Sequence, residues 1–243
     1  MRGLALIAML MAEAAGAEIL SARYMEPTGV YGHGAIPGGE YGGLEVRLSP
    51  DRVLGVGTYD NVYEDTKPRL ADLDGDGTVE LVTVISYFDR GAAIRVFDEV
   101  DSPDHPLGTT LGVVAETAPI GRRYRWLSIA GIADFDGNGR MDIAYVDRPH
   151  LAKELVIVEA RGSGPGLTLH ETARVSGLTN HHLGSPVIEG GVRVCDGMYP
   201  VILTADAKWK NVVENRLSGG EIVSTPVAPY TGPDSFAPFL DCD

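Results

Sequence analysis

After its N-terminus the sequence has no second long apolar run, so no membrane-spanning helix is expected. Positive charge is scarce. Twenty Lys and Arg stand against 34 Asp and Glu, a formal charge of −14 with a pI near 4.8. Such a surface repels phosphate backbones, which excludes nucleic acid as a natural partner and suits cations. Common catalytic signatures are missing as well. Gly162-Ser163-Gly164 lacks the spacing of a nucleophile elbow, and neither a phosphate-binding loop nor an HExxH motif occurs. No stretch carries the spacing of a long helix.

Among its 243 residues are 31 Gly and 15 Pro, enough for many turns. The length allows one sizeable core or one domain made of repeats. The first 17 residues read as a secretory signal: Arg2, a short apolar stretch over residues 4–11, then Ala15-Gly16-Ala17 with small residues at −3 and −1. The alternative is a buried N-terminal helix. Cleavage after Ala17 removes one Arg and one Glu, so the charge is unchanged. The mature domain then covers residues 18–243, and the expected location is periplasmic or extracellular. In that oxidising setting Cys195 and Cys242 are expected to pair, tethering the C-terminus to a strand. Two free buried thiols are the alternative.

An internal repeat organises the chain. Ala71-Asp72-Leu73-Asp74-Gly75-Asp76-Gly77-Thr78-Val79-Glu80 can be laid over Ala133-Asp134-Phe135-Asp136-Gly137-Asn138-Gly139-Arg140-Met141-Asp142. Both lie between apolar runs. The runs that follow, 79–87 and 141–146, are rich in Val, Ile and Tyr and are expected to be strands. Further strands are expected over 93–97 and 112–118 in the first repeat, and over 154–159 and 167–173 in the second, with a hairpin turn over 161–166. A degenerate third unit leads through residues 185–194 into Cys195-Asp196-Gly197. It continues with strands over 201–204, 211–218 and 221–228. A fourth unit without an acidic loop is expected over 18–59, with strands at 19–24, 44–48 and 53–58. About four short strands per repeat is the composition of a propeller blade.

The acidic loops suit calcium, a hard cation that takes six to eight oxygen ligands. In the first loop the candidate ligands are the side chains of Asp72, Asp74, Asp76 and Glu80, with the carbonyl of Thr78. In the second they are Asp134, Asp136, Asn138 and Asp142, with the carbonyl of Arg140. Glycines at 75, 77, 137 and 139 permit the positive φ that folds such a loop inward. The bland alternative is a solvated Asx-rich turn. An EF-hand needs a bidentate Glu at position twelve and flanking helices. Position twelve is Thr83 or Tyr145 here, and the flanks are strand-like. With four carboxylates against three, the first loop is expected to bind the more tightly.

The Asp-x-Asp-Gly-Asp/Asn-Gly-x-x-Asp/Glu loop between apolar strands resembles the FG-GAP or VCBS repeat, as in the integrin α-subunit propeller. It is similar in particular to small exported bacterial proteins with such repeats. The resemblance implies an all-β β-propeller whose Ca2+ loops join the innermost strand of a blade to the next strand outward. Blades of ~40–50 residues would make about four or five of them.

Other residues carry weaker signals. Asn180-His181-His182 invites zinc, but adjacent histidines diverge on a strand and no Cys or His stands at ligand spacing, which favours a plain polar loop. Arg122-Arg123-Tyr124-Arg125-Trp126, with Lys208-Trp209-Lys210, could face an anionic or sugar ligand. The alternative is a connecting loop whose arginines pair with the acidic surface. The functional expectation is a non-catalytic binding or scaffold module for a protein or glycan ligand. The competing expectation is a secreted hydrolase or lyase acting on polysaccharide or phosphoester.

Overall fold

A computed structural model describes residues 19–106 and 108–242; the expected signal segment, 1–17, lies outside them. The protein is all-β, with three antiparallel sheets. The first sheet holds β1 (Ser21–Pro27), β2 (Glu40–Ser49), β3 (Arg52–Gly57), β4 (Asn61–Glu64), β5 (Arg69–Ala71), β6 (Glu80–Tyr87), β7 (Gly91–Asp101) and β8 (Thr109–Glu116). The second is a four-stranded meander of β9 (Leu127–Ala133), β10 (Asp142–Asp147), β11 (Glu154–Arg161) and β12 (Thr168–Ser176). In the third, β13 (Leu178–Thr179) and β14 (Gly191–Arg193) both pair with β15 (Val201–Asp206), followed by β16 (Asn211–Ser218) and β17 (Glu221–Pro229). The only α-helix among the described residues is the single turn Ala237–Leu240.

Burial follows position in the stack. The strands after the acidic loops, β6 and β10, are buried at every residue because a layer packs on each face. Their side chains therefore read as near-continuous apolar runs rather than alternating ones. Outermost β12, in contrast, is largely exposed and polar. Leu44, Val46, Leu81 and Ile85 form a core between the N-terminal strands and the β6–β7 hairpin. A second core, with Val82, Ile94, Ile143 and Val156, lies between the first and second sheets. A third, with Val146, Ile157, Ile202 and Val213, lies between the second and third. The remaining face of the third sheet, at Val201, Leu203 and Val212, is covered by Phe236 and the C-terminal turn.

The propeller of about four or five blades is thus met only as stacked antiparallel sheets. Two differences have clear causes. Strand β2 pairs with β4 at Glu40–Glu64 and Tyr41–Tyr63, which fuses the N-terminal unit to the first acidic repeat as one eight-stranded sheet. No closed ring forms among the described residues, and the C-terminal segment covers the face that another sheet would occupy. Most of residues 185–194 is loop; only Gly191–Arg193 is strand.

Candidate metal centre

The two acidic loops occupy matching places, between β5 and β6 and between β9 and β10. Each is wound by the same hydrogen bonds. Asp72 accepts from the backbone N–H of Gly75 at 2.7 Å and of Gly77 at 3.1 Å. Asp134 accepts from Gly137 at 2.8 Å and Gly139 at 2.8 Å. Gly75, Gly77, Gly137 and Gly139 all have positive φ, between 75° and 91°, as the turn demands. The apolar residue at the second loop position, Leu73 or Phe135, is buried and anchors the loop to the core.

Strand residues close each loop. Glu80 accepts the N–H of Leu73 at 2.6 Å, and Asp142 accepts that of Phe135 at 3.1 Å. This brings Asp72, Asp74 and Glu80 together, and likewise Asp134, Asp136 and Asp142, with one carboxylate oxygen of each within 4.8 Å of the others. Each trio could hold a metal ion. Asp76 stands outside the first trio, its Oδ1 accepting both the N–H and the hydroxyl of Thr78 at 2.7 Å, which holds its carboxyl below the usual range. Asn138 plays the same part, accepting the N–H of Arg140 at 2.8 Å.

The first trio holds an unmet demand. Glu80 is 1% exposed and its Oε1 has no hydrogen-bond partner. A buried carboxylate oxygen without a donor is costly, and a cation among the three carboxylates would satisfy it. Burial, together with the charges of Asp74, Asp98 and Asp72, pushes the Glu80 carboxyl up to about 7. Burial, with Asp136, Glu159 and Asp134 nearby, does the same to Asp142.

The fold adds two carboxylates that sequence spacing did not reveal. Glu159 faces Asp142 across β10 and β11. Asp98 holds the corresponding place on β7, next to Phe97, the partner of Leu81. Asp98 lies near Asp76 and Asp74, and burial with their charge raises its carboxyl. Glu159 is offset instead: Arg161 bonds it at 2.5 Å, Asn138 at 2.6 Å, and Arg140 lies at 3.8 Å. Only strand register identifies this pair of positions.

Cys195 and Cys242 form a disulfide with Cα atoms 5.7 Å apart. Cys195 lies between β14 and β15, the place the acidic loops take in the first two sheets. The histidine pair diverges as expected. His182 stacks on Trp209 at 3.7 Å, while His181 is buried edge-on to Trp126. The fold does, however, bring a third histidine close: His150 meets His181 at 2.9 Å, and burial pushes His150 down to about 4. The arginine cluster departs from the expected pairing with acids. Arg123 donates to the carbonyl of Tyr31 and lies over the Tyr124 ring, Arg125 donates to the carbonyl of Tyr124, and Trp126 is buried, bonded to the carbonyl of Glu64. No helix among the described residues is long and apolar enough to cross a membrane. No protein-family model matches the chain, and no match is found among curated proteins.

Proposed function

We propose that this chain is an exported, calcium-binding protein of the FG-GAP/VCBS type, a partial propeller that acts as a non-catalytic binding or scaffold module. The observation that carries the metal assignment is the orphaned Oε1 of Glu80 within a trio of carboxylates. All candidate donors are oxygens, the preference of calcium rather than of zinc or copper. The disulfide suits an oxidising compartment. The asymmetric surroundings of Asp98 and Glu159 support tighter binding at the first loop, where more negative charge is left uncompensated.

The hydrolase alternative draws less support. A cleft of about 360 Å³ between the first and second sheets is lined by Asp147, Glu171, Arg148 and Arg174. Its acids are engaged: Arg174 bonds Asp147 at 3.2 Å and Glu171 at 2.7 Å, and Arg148 bonds Asp147 at 2.8 Å. A general acid or base needs a free carboxyl in such a cleft.

Thermal melting with chelator and with Ca2+ tests the metal assignment. Ion bound only to the folded state adds about 2.7 kcal/mol at a hundredfold excess over Kd, so chelation should lower the melting temperature by several degrees. Unchanged melting would make both loops solvated turns.

A further inference from the structure

The end of the stack opposite the acidic loops has a different chemistry. It is built from the turns after β6, β10 and β15 and the segment before β9. Backbone bonds join these turns into one rim: Gly121 N–H to Arg90 O at 2.8 Å, Ala92 N–H to Arg125 O at 3.0 Å, and Arg148 N–H to Trp126 O at 3.0 Å. The Lys153 ammonium continues it to the carbonyl of Ala207, and Tyr230 N–H joins it to Lys210 O at 2.8 Å.

Three properties characterise the rim. First, it carries exposed cations on a strongly acidic protein. Among the described residues, Arg122, Lys208 and Lys210 have no acidic side chain within ion-pair distance. Second, aliphatic side chains project from separate loops: Leu151 is 62% exposed, Leu183 68% and Val30 68%, and Tyr59 is 98% exposed. Third, the backbone is strained here. Of the five non-glycine residues with positive φ among the described residues, Tyr124, Arg148, Lys153 and Trp209 all lie on this rim. Left-handed backbone at bulky side chains costs free energy and gathers where a surface is used.

The geometry points to this rim as a docking face for an anionic lipid bilayer. Projecting aliphatic tips enter the headgroup boundary, the exposed Tyr59 ring sits at its level, and the Lys and Arg meet lipid phosphates. Charge complementarity is local: the acidic loops lie at the far end, and the exposed Asp60 and Asp89 on the rim are paired with Arg90. Sugar or base stacking on Trp209 and Tyr124 is disfavoured because both rings are already covered. Trp209 is stacked on His182 at 3.7 Å, and Tyr124 lies under Arg123 at 4.4 Å.

Vesicle co-sedimentation of the full chain tests this, with phosphatidylglycerol–phosphatidylcholine vesicles against phosphatidylcholine alone, in Ca2+ and in chelator. The anionic vesicles should bind at least tenfold more strongly in both buffers. The triple variant Arg122→Glu, Lys208→Glu, Lys210→Glu should weaken binding at least tenfold. So should Leu151→Ser with Leu183→Ser, all five being exposed positions whose variants should keep the wild-type circular dichroism. Absent or lipid-independent binding overturns the proposal. So does binding that requires Ca2+, survives the triple variant and is lost in Asp74→Asn, because that would place the membrane at the acidic end. Capture of polygalacturonate or DNA in place of vesicles overturns it too. Whether the loops bind calcium is decided separately, by melting in chelator and in Ca2+.

Discussion

Asp74, in the first acidic loop, accepts the backbone N–H of Gly164 at 3.0 Å, although 90 residues separate them. Gly164 opens the short turn between β11 and β12 of the second sheet. One carboxylate therefore serves both a candidate ion site and the seam between two sheets. Asp74→Ala removes both roles, while Asp74→Asn keeps an acceptor and loses the charge. In chelator, Asp74→Ala should melt below wild type through loss of two hydrogen bonds, from the N–H of Gly164 and of Asp76, each worth about 1 kcal/mol. For a chain of this length each corresponds to roughly 2–4 °C. Asp74→Asn should melt near wild type in chelator, and both variants should lose stabilisation by Ca2+. Equal melting of the two in chelator would remove the seam from the account.

The second loop is approached differently, by an aromatic ring from the loop between β14 and β15. A Cβ at Gly137 would stand 2.2 Å from the ring of Tyr199, at a residue with φ of 75°. At Gly139 φ is 83° but a Cβ meets open space. Both alanine variants carry the left-handed penalty of roughly 1–2 kcal/mol. Gly137→Ala must also displace the exposed Tyr199 ring, so it should be the more destabilised of the two. Denaturant midpoints of the two variants check this; the reverse order would mean that Tyr199 moves aside freely.

Protonation should compete with calcium. Glu80 and Asp142 in the metal-free protein are both raised to about 7, mainly by burial. A folded carboxyl pKa above the unfolded value means that the native state holds extra protons between the two. The metal-free protein should therefore lose stability as pH rises from the ordinary carboxylate range towards 7. Ca2+ needs these groups deprotonated, so its affinity should fall as pH drops below about 7. Urea unfolding at several pH values, with and without Ca2+, checks both signs. Glu80→Gln should flatten part of the metal-free slope.

Much of this was legible in the sequence, and the omissions share a cause. The acidic loops announce themselves because their candidate ligands are local, spaced along one turn with glycines at the positions of positive φ. The apolar strands after them, β6 and β10, could be located within a residue. Strand β4, Asn61–Glu64, escaped because four residues with two polar ones carry no periodicity, yet it joins the N-terminal strands to the first repeat. Asp98 and Glu159 escaped because cross-strand register decides their position. His150 and His181 meet across 31 residues, a contact that spacing cannot disclose. The C-terminal cover over β15 escaped for a related reason: Phe236 and the turn after it are too short to carry a pattern.

The disulfide makes the C-terminal cover testable. Cys242 lies two residues beyond the end of the turn that packs over β15, and its partner is 47 residues away. Closing a loop of that size is worth about 4 kcal/mol in the chain-entropy model. Free-thiol titration of the unfolded, unreduced protein should find no thiol. Cys195→Ser with Cys242→Ser should lose about 2–4 kcal/mol of stability. Two reactive thiols in the untreated protein would contradict the pairing.

Calorimetric titration of the metal-free protein with Ca2+ decides whether the acidic loops are ion sites. Two ions should bind per chain, the tighter one lost in Glu80→Gln and the weaker one in Asp142→Asn. If the Asp134 loop fills first, loop rigidity or sheet packing outweighs charge and the ranking is wrong. No saturable binding up to the millimolar range typical of weak extracellular calcium modules would contradict the account altogether.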